Sequence, residues 1–413
     1  MSSPTILTDK HIVLGVTGSI AAYKAAMLAS QLTQAGVLVD VILTDSAERF
    51  VTPLTFQALT GRPVYTSLWQ TEHAGGLETH IAHVGLAHEA DLLLIAPITA
   101  NTIAKIALGL ADDLLSVTAL AARCPILIAP AMDAGMYENA ATQAHVETLR
   151  ARGVQVIGPA AGRMASGLTG LGRFVEPDEI VGACRRALGF AGSLRGRRVV
   201  VTAGPTREPL DPVRYLTNYS SGKQGFAIAQ AAVEAGAEVT LIAGPVDSAL
   251  VTPYGATRLD VTDTRSLRDA VIAHASGHRQ ADAVIMAAAV ADFRPAQLAE
   301  HKIKKTEGGA PAIELTTNPD ILLELSEQPT RPRVTVGFAA ESDDLETNAQ
   351  AKLARKKLDL IVANDITAED AGFAVDTNRV LFITAQGVEP LPLLSKSEVA
   401  ARIVAWVAER LKD

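Results

Sequence analysis

At 413 residues, 48% of them hydrophobic and 20% charged, the chain has apolar material for two or three packed domains and is excluded from the disordered class. Its 37 Lys and Arg against 45 Asp and Glu leave a net charge of −8, which excludes a broadly basic nucleic-acid surface but permits a local basic pocket. Two cysteines cannot build a disulfide framework, residues 1–10 show no charged-then-apolar signal pattern, and the longest apolar runs fall short of the ~18 residues of a membrane span; a cytoplasmic protein without membrane or nucleic-acid partners is expected.

The chain opens with an apolar strand over 11–16, a turn at Thr17-Gly18-Ser19 and a helix over 20–34 that Gly36 ends. A strand at 37–43 follows, and later a strand at 91–96, one helix over 99–122, a strand at 125–129, a helix over 141–152, a strand at 154–157 and a helix near 178–188. Unbroken apolar strands alternating with helices read as a parallel sheet covered on both faces. The fold class is therefore α/β, doubly wound and Rossmann-like. Residues 191–196 look like a linker, and the same grammar restarts with strands at 199–202, 239–243, 283–287, 334–338 and 358–362 and a helix over 222–235. The reading is two such domains, 1–191 and 192–413, with no convincing internal repeat.

Three polar turns follow strands of the first half: Gly15-Val16-Thr17-Gly18-Ser19-Ile20, Thr44-Asp45-Ser46 and Pro97-Ile98-Thr99-Ala100-Asn101-Thr102. Small residues at a strand-to-helix turn let backbone N–H groups approach a phosphate, and ligands of such sheets sit beyond the carboxyl ends of the strands. A tight turn without ligand explains the first of them equally well, and the Gly-x-Gly-x-x-Gly dinucleotide fingerprint is absent.

Gly18-Ser19-Ile20-Ala21-Ala22-Tyr23-Lys24, the run from Thr99 to Ala107 and Pro130-Ala131-Met132 resemble the flavin-containing cysteine decarboxylases. With the second half included, nearly the whole chain resembles the bacterial bifunctional phosphopantothenoylcysteine decarboxylases/phosphopantothenate–cysteine ligases of coenzyme A synthesis. The resemblance implies FMN bound by Gly18, Ser19, Ile20, Thr44, Ser46, Thr99, Ala100, Asn101 and Thr102. It makes His83 the active-site histidine, where the residues alone favour a surface histidine. His80 and His88 read as a solvated helix face, and the spacing of the three histidines does not suit zinc. A flavin is needed because the carboxylate of an N-acylcysteine has no electron sink; oxidation to a thioaldehyde creates one, and loss of carbon dioxide then gives an enethiol.

Two positions depart from the family pattern. Asp133 stands where Asn is common, and Ser166 where a cysteine of Ala-Cys-Gly acts as an acid. A serine hydroxyl is far weaker an acid than a thiol of pKa ~8.5, so Asp133 is the candidate proton source. The alternatives are that Asp133 and Ser166 only hydrogen-bond the substrate, that this half stops at the enethiol, or that it is a flavin-binding scaffold.

In the second half, Gly222-Lys223 is followed by Gln224 where a P-loop needs Ser or Thr, so a P-loop is rejected, while a lysine at a helix start still suits an anion. The run from Gly204 to Gly225 resembles the ligase half of the same family. By that resemblance Asn218 acts on an acyl-nucleotide, Lys302 is an essential lysine that also touches the nucleotide, and Asp292, Pro319, Asp320, Ile321, Leu322, Phe338, Lys352 and Lys356 bind it. Arg355 and Lys357 read as a solvated face. The implied nucleotide is CTP with Mg2+ of unassigned ligands, and the implied assembly is a homo-oligomer of decarboxylase trimers, with flavin at subunit contacts, and ligase dimers. The competing reading, an NAD(P) oxidoreductase, lacks both the glycine fingerprint and a Tyr-x-x-x-Lys dyad; Tyr23-Lys24 has the wrong spacing.

Overall fold

The structure is a computed structural model that describes residues 6–69, 81–277, 280–304, 312–341, 345–365 and 375–412. His80 and Lys305 lie outside them. The chain divides into two compact units between Gly189 and Phe190.

In the N-terminal unit the elements run β1 (His11–Val16), α1 (Ala22–Gln34), β2 (Leu38–Leu43), α2 (Asp45–Glu48), α3 (Pro53–Thr60), β3 (Val64–Tyr65), α4 (Ala82–Glu89) and β4 (Leu92–Ile98). Then come α5 (Ala100–Leu108), α6 (Leu114–Ala121), β5 (Ile126–Pro130), α7 (Ala134–Glu138), α8 (Ala140–Ala151), β6 (Gln155–Val156), β7 (Ala160–Arg163), β8 (Thr169–Arg173) and α9 (Pro177–Gly189). Six parallel strands pair in the order β3-β2-β1-β4-β5-β6. Every residue of β1 and β4 is buried, which is why, after His11, these strands are continuously apolar rather than alternating. One face of the sheet, with Val13, Leu93, Ile95 and Ile128, packs on Ile103, Leu115 and Val146 from the helices. Each such side chain contributes about 1.5–3 kcal/mol relative to exposure.

The single helix expected over 99–122 is two helices. Gly109, in the left-handed region at φ 73°, ends α5, and Asp113 starts α6 with a capping box on Ser116. The apolar pattern continues across the break, which hides it from a periodicity reading. Deeper in the sheet, Asp40 of β2 is fully buried; it lies 2.5 Å from His11 Nε2 and accepts from Arg62 Nε and Nη2 at 2.7 and 2.9 Å. Burial works to raise its pKa, but the His11 and Arg62 contacts prevail and hold it below the usual carboxylate range.

The C-terminal unit begins with β9 (Arg198–Ala203), the hairpin β10 (Arg207–Pro209) and β11 (Tyr215–Thr217), α10 (Lys223–Glu234), β12 (Glu238–Ala243), β13 (Thr257–Asp260) and α11 (Thr264–Ala275). It continues with β14 (Ala283–Met286), β15 (Phe293–Pro295), β16 (Leu315–Thr317), α12 (Ile321–Ser326), β17 (Val334–Glu341), α13 (Leu345–Arg355) and β18 (Leu360–Asp365). It closes with β19 (Thr377–Asn378), β20 (Val380–Thr384), β21 (Gly387–Pro390), β22 (Leu394–Ser395) and α14 (Lys396–Arg410). The main sheet is ordered β13-β12-β9-β14-β17-β18-β20-β21, and its last two pairings, β18 with β20 and β20 with β21, are antiparallel. Helices α10 and α14 share one face of it, where Phe226 and Ile228 belong to one core with Val399, Ile403 and Val407.

Candidate functional site

In the N-terminal unit β1 and β4 are neighbours whose following segments lead to opposite ends of the sheet, so a crevice opens at their carboxyl ends. The loops around it are tied together. Buried Thr17 donates through Oγ1 to the Pro97 carbonyl at 2.9 Å and accepts from the Thr99 N–H at 3.0 Å. Ser19 Oγ donates to the Ala131 carbonyl at 3.2 Å. A Cβ on Gly18 would lie 2.4 Å from Ser46 Cβ, so only glycine lets the loops after β1 and β2 approach this closely. Thr44 caps α2 and Thr99 caps α5, accepting from the N–H groups of Ala47 and Thr102. Ser46 and Asn101 are exposed, Thr102 on the first turn of α5 is buried, and Ile20 is 58% exposed at the rim. Backbone turns, hydroxyl groups and an uncovered apolar side chain at one edge fit a phosphate-bearing planar ring system such as FMN.

The hairpin β7–β8 folds onto this edge. Met132 N–H donates to the Gly172 carbonyl at 3.0 Å, and Ser166 Oγ donates to Asp133 Oδ2 at 2.7 Å. Asp133 Oδ1 also accepts from the Gly135 N–H at 3.2 Å, capping α7. The two departures from the family pattern are thus hydrogen-bonded partners. His83 is half-buried on the first turn of α4, and among the described residues no hydrogen bond joins it to Asp133 or Ser166. Neither cysteine is poised to react. Burial pushes the Cys184 thiol up to about 12 and also raises that of Cys124.

The C-terminal unit encloses a cavity of about 870 Å³ at the corresponding edge of its sheet. Asn218, Asp292, Pro319, Asp320, Ile321, Leu322, Phe338, Lys352 and Lys356 all line it. Asn218 Nδ2 donates to the Val290 carbonyl at 2.9 Å, and Asn318 Nδ2 to that of Ala291 at 2.8 Å, so two amides fix the loop after β14. Asp320 caps α12 and pairs with Lys356 at 3.0 Å. Arg355, read from sequence as a solvated-face residue, is 63% exposed but also lines the cavity and pairs with Asp320 at 3.7 Å.

Lys302 is not brought to this wall. It is exposed on a segment whose Ile303 N–H donates to Asp211 Oδ2 at 3.1 Å and whose Ile303 carbonyl accepts from Arg214 Nη2 at 2.8 Å. The Arg214 guanidinium holds the Asp211 carboxyl well below the usual range. The cavity also takes Asn364, Asn378 and Lys396, which sequence reasoning missed. They follow no glycine-rich turn and lie far along the chain from Asn218, so no local signal marks them. Among the described residues no group of three His, Cys, Asp or Glu side chains could hold a metal, and no helix is long and apolar enough to cross a membrane.

Comparisons with known proteins agree with this division. A family model described as Flavoprotein matches residues 1–189, and one described as DNA/pantothenate metabolism flavoprotein C-terminal domain matches 194–411. The Coenzyme A biosynthesis bifunctional protein CoaBC of Bacillus subtilis is 46% identical over 412 residues, 99% of each chain. Its namesake from Vibrio vulnificus is 45% identical over 402 residues, 97% of this chain and 98% of that one. Among solved structures, the C-terminal domain of a CoaBC protein is 41% identical over 53% of this chain and 98% of its own, with a TM-score of 0.45. The chain belongs to the bifunctional coenzyme A biosynthesis family, flavoproteins that join a decarboxylase to a ligase.

Proposed function

We propose that the C-terminal unit couples cysteine to phosphopantothenate through an acyl-cytidylate made from CTP, and that the N-terminal unit then decarboxylates phosphopantothenoylcysteine to phosphopantetheine with FMN. The observation that carries this reading is the gathering of Asn218, Asp292, residues 319–322, Phe338, Lys352 and Lys356 around one cavity. A carboxylate attacking the α-phosphate of a nucleotide meets like charge. Lys352 and Lys356, on the cavity wall, offset it, and Lys302 adds to them if its segment approaches the bound substrates. Asn218, fixed by its bond to the Val290 carbonyl, is placed to hold the acyl-nucleotide while the cysteine amine attacks. Mg2+ arrives with the phosphates; Asp292 is a cavity carboxylate available to it, and Asp320 is already paired with Lys356.

In the N-terminal unit Gly18, Ser19, Ile20, Thr44, Ser46 and residues 99–102 hold FMN, which when bound supplies the electron sink for decarboxylation. His83 orients the substrate carboxylate, Asp133 hands a proton to the product carbon, and Ser166 positions Asp133 through the 2.7 Å bond. The enzyme works in the cytoplasm as a homo-oligomer of decarboxylase trimers and ligase dimers. Incubation with phosphopantothenate, cysteine, Mg2+ and either CTP or ATP, with products read by mass, tests the scheme. Phosphopantetheine should form, and CTP should outpace ATP at limiting concentration. Absence of phosphopantothenoylcysteine would remove the ligase assignment, and accumulation of enethiol would remove the reductive half of the decarboxylation.

A further inference from the structure

Three polar side chains, Thr206, Glu208 and Thr264, are buried behind the cavity of the C-terminal unit and are not part of its lining. Glu208, on β10, is only 2% exposed. Glutamate is almost never buried so far without partners for its oxygens. Its Oε1 accepts from the Thr264 N–H at 2.9 Å and from the Thr264 hydroxyl at 2.7 Å. Thr264 is the first residue of α11, which Asp263 and Ser266 already cap reciprocally. The start of that helix therefore does not depend on Glu208 alone.

A hydroxyl group has one proton to give and can accept two hydrogen bonds. The Thr264 proton goes to Glu208, so in the 3.2 Å contact between the two threonine hydroxyls Thr206 is the donor. Thr264 Oγ1 also accepts from Asn318 Nδ2 at 3.2 Å. Thr206 Oγ1, whose proton points at Thr264, accepts from the Ala291 N–H at 3.0 Å. The carboxylate thus sets the direction of a whole chain, from the Ala291 N–H through Thr206 and Thr264 to Glu208.

The far donors of this network, Ala291 and Asn318, both line the cavity. Ala291 stands between Asp292 and Val290, whose carbonyl anchors Asn218. The Asn318 N–H donates to the Asp292 carbonyl at 2.8 Å, and its Oδ1 accepts from Arg294 Nη1 at 3.1 Å. The Thr217 hydroxyl donates to the Thr206 carbonyl at 2.8 Å, which ties in the end of β11 beside Asn218.

We propose that Glu208 is a positioning residue of the ligase site. Through Thr264 and Thr206 it holds residues 288–292, and with them Asp292 and the anchor of Asn218, in the arrangement that binds the nucleotide. The inference rests on the ligase reading of this unit and deepens it. Without the carboxylate, the Thr264 proton is free to turn toward Thr206 and the chain loses its single direction. The loop then occupies more than one arrangement, and apparent nucleotide affinity falls by the fraction of chains in the productive one.

The full chain, loaded with FMN, is assayed for ligation with CTP and cysteine varied in turn, and amide hydrogen exchange over 288–292 is followed by mass spectrometry. If one chain in about ten keeps the productive loop, Glu208→Ala should raise the KM for CTP about tenfold. The KM for cysteine should stay within about twofold, and exchange over 288–292 should quicken. Glu208→Gln keeps an acceptor oxygen for Thr264 and should stay within about threefold of wild type. Thr206→Val cuts only the link to Ala291, should raise the KM for CTP as Glu208→Ala does, and replaces that variant should it fail to fold. Because both act along one chain, the double variant should be little worse than either alone. Additive losses overturn the proposal. So does a folded Glu208→Ala or Thr206→Val that melts earlier but keeps the wild-type KM for CTP and wild-type exchange over 288–292. Failure of the wild-type chain to ligate would instead strike the ligase reading, while the exchange measurement would still decide whether Glu208 holds the loop.

Discussion

In the N-terminal unit the six-stranded sheet ends at β6, and a hairpin, β7–β8, then brings Ser166 to within 2.7 Å of Asp133. In the C-terminal unit six strands with the same relative order are extended by two antiparallel strands, and the ribbon β19–β22 sets Lys396 and Asn378 on the cavity wall. The shared strand order decides where a site can open, because it fixes the crevice at the carboxyl ends of the central strands. The appended pieces decide what the site can do. A hydrogen-bonded Ser166–Asp133 pair and a lysine-lined cavity wall are different surfaces built on one frame.

The largest expected effect tests whether the two frames are separately stabilised. Asp40→Ala leaves His11 and Arg62 without their buried carboxylate, and the N-terminal unit should lose about 3–5 kcal/mol. Decarboxylation should therefore fail on mild heating while ligation persists; simultaneous loss of both activities would break the comparison. The pH dependence has a fixed sign. The folded-state value of Asp40 lies below its unfolded value, so its contribution is complete above about pH 4 and is lost as pH falls through the lower folded value. An acid melt of wild type and Asp40→Asn measures that difference.

A second test acts on function rather than folding. Asn218→Asp places a negative charge beside the position assigned to the acyl-nucleotide, and ligation should fall about 10²–10³-fold. Turnover of added phosphopantothenoylcysteine should stay within about twofold, because the two sites are assigned to different units. Equal loss of both activities in soluble, FMN-loaded protein would mean that the sites are not separate.

Much of the frame was legible because its signals are local. Apolar runs such as Leu92–Ile98 announce buried strands, and Gly18, Thr44 and Thr99 mark strand-to-helix turns. Of the cavity lining, the helix start at Gly222-Lys223 was legible from its residues as an anion site, whereas Asp320, Lys352 and Lys356 were legible only through family resemblance, since nothing local brings Asp320 to the two lysines. The break at Gly109 was missed because the apolar period runs through it, although Gly109 and Asp113 are both stop-and-start residues. Lys396 was not legible at all: it looks like any helix-opening lysine until β22 pairs with β19. Lys302 differs from the other motif residues: it sits outside the cavity wall, on an exposed segment tied to Asp211.

The hairpin contact gives the third prediction. With Asp133 as the proton source, Asp133→Asn should release carbon dioxide in a single turnover at a rate close to wild type and then stall. Return of electrons to the product should slow about 100-fold, as expected for a lost general acid. Flavin absorbance and product mass read the two halves separately. Full steady-state turnover in Asp133→Asn would reduce the Ser166–Asp133 pair to a structural cap on α7.

The smallest effect is the most discriminating. Ser166→Ala removes one donor from Asp133 but leaves the Gly135 N–H on the other oxygen, so α7 stays capped. A neutral donor of this kind is worth about 0.5–1.5 kcal/mol, so the second half-reaction should slow about 2- to 10-fold while carbon dioxide release is unchanged. A purely structural contact would instead shift thermal stability and leave both rates alone. Ser166→Cys carries the argument further, because a thiol is an acid where a serine hydroxyl is not. On its own it should change little, since Asp133 still supplies the proton. Combined with Asp133→Asn it should restore most of the lost electron return if, as the family resemblance implies, position 166 is where the family's acidic cysteine stands. A double variant as slow as Asp133→Asn alone would show that position 166 does not reach the reacting carbon, and that the hairpin of this unit only orients Asp133.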